Sequence, residues 1–98
     1  MVAMKKVEIV VEAVYLNRLL ELFSKHKISH YTLIRDVEGC GGHGHMMNDS
    51  VGEVNANDYL FTALEEEVFL KIKEDIRSFT TKYGGKCFVS DTMMIFKQ

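Results

Sequence analysis

Cys40, His43 and His45 form a Cys-x-x-His-x-His pattern, and Met46, Met47 and Asp49 follow at once. Thiolate and imidazole are donors that Zn, Cu and Ni favour, and a thioether adds a soft donor suited to copper. The same stretch contains Gly39, Gly41, Gly42 and Gly44, whose backbone adopts conformations closed to other residues and approaches a ligand closely. One reading makes Cys40, His43 and His45 a transition-metal site. The other makes the histidines polar residues of an exposed loop, since the chain offers no second group of ligands at metal-binding spacing.

Gly84-Gly85-Lys86 is the second candidate. Glycine N–H groups cradle phosphate oxygens, and a lysine beside them adds a cation. The same residues serve equally well as a helix stop and a tight turn. Cys87, just after them, reads as a small apolar packing residue. Glu65-Glu66-Glu67 complements the positive end of a helix starting there, and His26 and His30 read as surface or capping residues. No nucleophile elbow, Walker loop, paired Cys-x-x-Cys or nucleophile–base arrangement occurs. The pattern is that of a binding protein rather than an enzyme.

These residues must be positioned by a small framework. With 98 residues, of which 47% are hydrophobic, the chain supports one domain over 1–98 with a real core. A formal net charge of −2 with acids and bases interspersed argues against nucleic acid as a partner. No apolar run approaches a membrane span, and the start lacks the build of a signal peptide. The cytoplasm is therefore the expected location, with Cys40 and Cys87 as reduced thiols. Proline is absent, so glycine, asparagine, aspartate and serine make the turns.

Val7, Ile9 and Val11 share one face of a strand predicted over Met4 to Glu12. Leu16, Leu19, Leu20 and Phe23 then recur at helical spacing, with Asn17 as the expected N-cap. A second strand is expected over Tyr31 to Cys40. The return strand, Asp58 to Glu65, has Tyr59, Phe61 and Ala63 on one face and Leu60, Thr62 and Leu64 on the other. A second helix begins near Glu66. Its stripe is Ile72, Ile76, Phe79 and Tyr83, and Gly84-Gly85 ends it. Cys87 to Phe96 is the last predicted strand. The order is βαββαβ, a ferredoxin-like α+β fold in which two helices cover one face of a four-stranded antiparallel sheet. Val10, Ile34, Leu60 and Ile95 are available to the uncovered face, which predicts self-association.

The segment Ile28-Ser29-His30-Tyr31-Thr32-Leu33-Ile34-Arg35-Asp36-Val37-Glu38-Gly39-Cys40-Gly41 resembles the second strand and T-loop opening of the PII-like signalling superfamily, the trimeric sensors related to nitrogen regulatory protein PII. Gly84-Gly85-Lys86-Cys87-Phe88-Val89-Ser90-Asp91 is similar to that family's B-loop and following strand. The resemblance implies a homotrimer whose intersubunit clefts take an adenine nucleotide (AMP, ADP or ATP) or a small anion. It also implies a flexible T-loop, here about 41–56, that engages a membrane transporter or an enzyme. Gly39, Gly41 and Gly42 would line the cleft from the T-loop base, and Gly84, Gly85 and Lys86 would contact phosphate. Where the family has basic and amide side chains after its T-loop glycines, this chain has Gly42 and His43. One extra residue in the second strand leaves open whether Thr32 or Leu33 faces the ligand. Copper-tolerance CutA-like proteins share the trimeric architecture, so a Zn, Cu or Ni site at Cys40, His43 and His45 also has precedent.

Overall fold

Val7, Ile9 and Val11 are wholly buried, while Glu8 and Val10 between them are not. This period of two marks the second half of strand β1, Val2–Glu12. The computed structural model describes residues 1–38 and 56–96. Within them, β1 is followed by a 3-10 turn (Ala13–Tyr15), helix α1 (Leu16–Lys25), strands β2 (Thr32–Val37) and β3 (Asn57–Leu64), helix α2 (Glu66–Tyr83) and strand β4 (Lys86–Met94). The strands form one sheet in the order β2-β3-β1-β4, and every pairing is antiparallel. The expected ferredoxin-like arrangement is the one observed.

The core lies between the helices and one face of the sheet. Leu16, Leu19 and Phe23 of α1 and Ile72, Ile76 and Phe79 of α2 pack with Val7, Ile9, Val11, Leu60 and Leu64. Each such side chain contributes roughly 1.5–3 kcal/mol by leaving water. Leu60, expected to be available to the uncovered face, is instead fully buried under the helices. It stands opposite both Ile9 and Leu33, so the register commits it to the inner side. Ile95 lies beyond the end of β4, which stops at Met94, and is largely exposed.

Other boundaries move for local reasons. Asn17 does not cap α1. The cap is Tyr15, without a side-chain hydrogen bond, because the chain enters the helix through the 3-10 turn. Strand β2 covers Thr32–Val37, with its ladder shifted between Ile34 and Val37; of the longer span expected, residues 39 and 40 lie outside the described residues. Glu65 caps α2 instead of ending β3. Residues 41–55 of the predicted T-loop lie outside the described residues, as do the metal candidates Cys40, His43 and His45 and the glycines Gly39, Gly41 and Gly42.

The two helices are tied by a polar strap. His26, at the C-cap of α1, donates from Nε2 to Asp75 Oδ2 of α2 at 2.8 Å, and Lys25 Nζ stands 3.9 Å from the same oxygen. The imidazole hydrogen bond, with help from Lys25, holds the Asp75 carboxyl below its ordinary value of 3.8. A carboxyl depressed in the fold stabilises it above the ordinary value and loses that contribution as pH falls through the depressed range. The urea midpoint is therefore expected to fall on acidification below about pH 4. That part of the slope should vanish in Asp75→Asn; an unchanged slope would show that the strap carries no linkage.

Candidate ligand site

The α2 stripe ends at Tyr83, and the chain turns through two glycines that no other residue replaces cheaply. Gly84 has φ +84° and ψ −168°, a region essentially reserved for glycine. Its N–H closes the helix on Thr80 O at 2.9 Å. Gly85 has φ +97°, and a Cβ on it would stand 2.6 Å from Val10 O. The turn is thus wedged against the backbone of the central strand. Lys86 opens β4 opposite Val10 and is exposed on the uncovered face of the sheet. Cations also flank the helix end: Arg18 and Lys82 lie 5.4 and 5.3 Å from the ring centroid of Tyr83. The result is an exposed, positively biased turn with a glycine backbone, the composition that receives an oxyanion.

Cys87 follows the turn half-buried against the core, and burial pushes its thiol up from the ordinary value. It packs as a small apolar residue, as expected. Among the described residues, no group of three or more His, Cys, Asp or Glu side chains is placed to hold a metal ion. No helix among them is long and apolar enough to cross a membrane.

Among the described residues, β2 pairs with β3 alone, whereas β4, which carries Lys86, pairs with β1 alone. Val37 and Lys86 lie toward the same end of the sheet, opposite Asn57 and Val10. They nevertheless occupy opposite edges, about 14 Å apart at roughly 4.8 Å per strand spacing. Two grooves, one between α2 and β4 and one beside Val2 and Glu65–Glu67, are lined by neither Gly84, Gly85 nor Lys86.

The uncovered sheet face carries Thr32, Ile34, Tyr59, Phe61, Val10 and Phe88 in adjoining rows. Thr32 faces this side opposite Phe61, while Leu33 points into the core, which resolves the register left open by the sequence. A polar network crosses the face. Tyr59 Oη donates to Glu8 Oε2 at 2.6 Å, and this bond raises the Tyr59 phenol above its ordinary value. Lys6 Nζ lies 3.9 Å from Glu8 Oε2 and 5.2 Å from the Phe61 centroid.

This chain is matched by a known family. The profile of nitrogen regulatory protein P-II covers residues 4–96. The chain belongs to the P-II family. Among solved structures, CPII, a nitrogen regulatory PII-like protein from Thiomonas intermedia K12, superposes with a TM-score of 0.80 at 23% identity, over 98% of this chain and 97% of that one. CPII bound to ADP and bicarbonate matches with a TM-score of 0.75 at 26% identity, over 92% of this chain and 86% of CPII. A PII-like signaling protein from Thermus thermophilus matches with a TM-score of 0.69 at 28% identity, over 93% and 88% of the two chains. No curated protein matches by sequence.

At the end of β2 this P-II family protein has a feature that the sequence motifs did not single out. Asp58, on the inner face of β3 opposite Val11, is only 1% exposed. Its Oδ1 accepts the N–H of Asp36 at 3.1 Å, and Arg35 Nη1 lies 3.8 Å from Oδ2. One sequence signal was available: an acid heads the inward series Asp58, Leu60, Thr62, Leu64, where apolar residues are expected.

Proposed function

We propose that this protein is a P-II-type small-ligand sensor and regulator. It assembles as a homotrimer and holds an adenine nucleotide or a small anion such as bicarbonate in clefts between subunits. It regulates a partner, a membrane transporter or an enzyme, through the segment at about 41–56. The observation that carries this reading is the Gly84-Gly85-Lys86 turn: both glycines have positive φ, the second is wedged against Val10 O, and an exposed lysine follows. The placement of T-loop base and glycine turn on opposite sheet edges supports a cleft built from two copies, each giving one edge. The apolar rows on the uncovered face support the assembly that creates such clefts. CPII, its structural relative at 26% identity, was solved with ADP and bicarbonate, and that makes these the first ligands to test.

ADP, AMP or bicarbonate at millimolar concentration is expected to raise the melting temperature by several degrees, since hundredfold saturation stabilises a fold by about 2.7 kcal/mol. Lys86→Ala should reduce the rise with the phosphate ligands. An unchanged melting temperature across the whole set would overturn the sensor reading.

A further inference from the structure

We infer that Arg35 is an oxyanion-binding residue of the cleft and that Asp58 positions it; this rests on the function proposed above. Strand β2 is regular through Ile34 and then bulges, with the ladder resuming at Val37 opposite Asn57. Inside the bulge Asp36 has φ +58°, a left-handed conformation that a non-glycine residue keeps only when its surroundings impose it. Bulges of this kind re-aim a side chain at the end of a strand. Asp58 imposes this one, through the bond from Asp36 N–H to Oδ1.

The remaining atoms of Asp58 are costly. Among the described residues its buried Oδ2 has no hydrogen-bond partner, and a buried carboxylate half-satisfied in this way is a poor stabilising element. Its nearest cation, Arg35, stays 3.8 Å away with its side chain 66% exposed, too far for a hydrogen bond and too wet for a strong pair. An apolar residue at position 58 would pack better on Val11. The arrangement makes sense as an aiming device: a buried carboxylate draws an exposed guanidinium to the end of β2. Among the described residues no hydrogen bond uses the donors of that guanidinium. Its planar fork is thus available to two oxygens of one phosphate, bicarbonate or carboxylate group. Lys86, on the opposite edge of the sheet, is a point charge and lacks that geometry.

Calorimetric titration of ADP, AMP and bicarbonate into the full chain tests both roles. Arg35→Gln should weaken the oxyanion ligand about tenfold or more, the usual scale for a charge-assisted hydrogen bond. Arg35→Lys should restore only part of the loss, because it keeps the charge and loses the fork. Asp58→Asn should weaken binding several-fold in the native background and add nothing to Arg35→Gln. A loss confined to ADP and AMP assigns the fork to a nucleotide phosphate, and one confined to bicarbonate assigns it to the free anion. Native protein that binds while Arg35→Gln binds within twofold of it overturns this inference and leaves the sensor function standing. Native protein that binds none of the three overturns both. Independent, additive losses from the two substitutions would make Asp58 structural only. Arg35 is exposed enough that its variants fold even where Asp58→Asn does not.

Discussion

Gly85→Ala is expected to lower the melting temperature by roughly 10–20 °C, corresponding to about 2–3 kcal/mol for a domain of this size. Two costs add at this position. An L-residue at φ +97° is held in a sparsely populated region, worth about 1–3 kcal/mol. The new methyl carbon would also stand 2.6 Å from Val10 O, a backbone atom of the central strand that cannot swing aside. Gly84→Ala supplies the internal comparison. Its φ of +84° is equally unfavourable, but a Cβ there meets nothing within 4 Å, so the smaller loss is expected. Calorimetry of the two variants separates conformation from contact. Equal losses would mean that the turn shifts away from Val10 without penalty. The result bears on function, because the wedge that makes Gly85 irreplaceable also fixes where the N–H groups of the turn are presented.

The second large effect concerns assembly. Phe88 is 58% exposed and stands opposite Glu8 on the uncovered face. In an isolated chain a surface substitution there changes stability by only about 0.5 kcal/mol. Buried between copies, an aromatic anchor carries about 2 kcal/mol or more, and threefold symmetry repeats the loss at each interface. Phe88→Lys is therefore expected to yield a folded monomer with native circular dichroism and no response to ADP, AMP or bicarbonate. Sedimentation of the native chain should give three times the protomer mass of 11.2 kDa. A native monomer would remove the cleft altogether. A Phe88→Lys variant that stays fully trimeric would move the interface to another face.

Much of the framework was legible in the residues themselves. The alternation of Tyr59, Phe61 and Ala63 with Leu60, Thr62 and Leu64 assigns the two faces of β3 correctly, since every second residue of a strand shares an environment. The stripe from Ile72 to Phe79 and the stop at Gly84-Gly85 set the extent of α2 for similarly local reasons: helical periodicity and the conformational freedom of glycine. What failed was whatever depended on a distant partner. Asn17 is a good capping residue in isolation, but the 3-10 turn beginning at Ala13, whose N–H bonds Ala56 O at 2.8 Å, sets where α1 starts. Leu60, expected at the uncovered face, is committed to the core by its pairing with Ile9 and Leu33.

The candidate site divides along the same line. Gly84, Gly85 and Lys86 could be named from sequence because backbone freedom and charge are properties of the residues. That the second glycine abuts Val10 O is a fact of packing. The choice between Thr32 and Leu33 depends on a register that slips by one residue without any local signal, and only the pairing with Phe61 and Leu60 decides it. Arg35 and Asp36 lie in the segment that carries the family resemblance, but nothing there assigns them a role or links them to Asp58. Their relationship exists because β2 and β3 run side by side, placing a buried carboxylate under a bulge 22 positions away in the chain. Sequence alone determined the element order, the grouping of alternate residues in β1 and β3 and the chemistry of the glycine turn, since these follow from short-range periodicity and residue type. Tertiary structure alone decided the register, the bulge and the burial of Asp58, since hydrogen bonding and desolvation there are set by residues far apart in the chain.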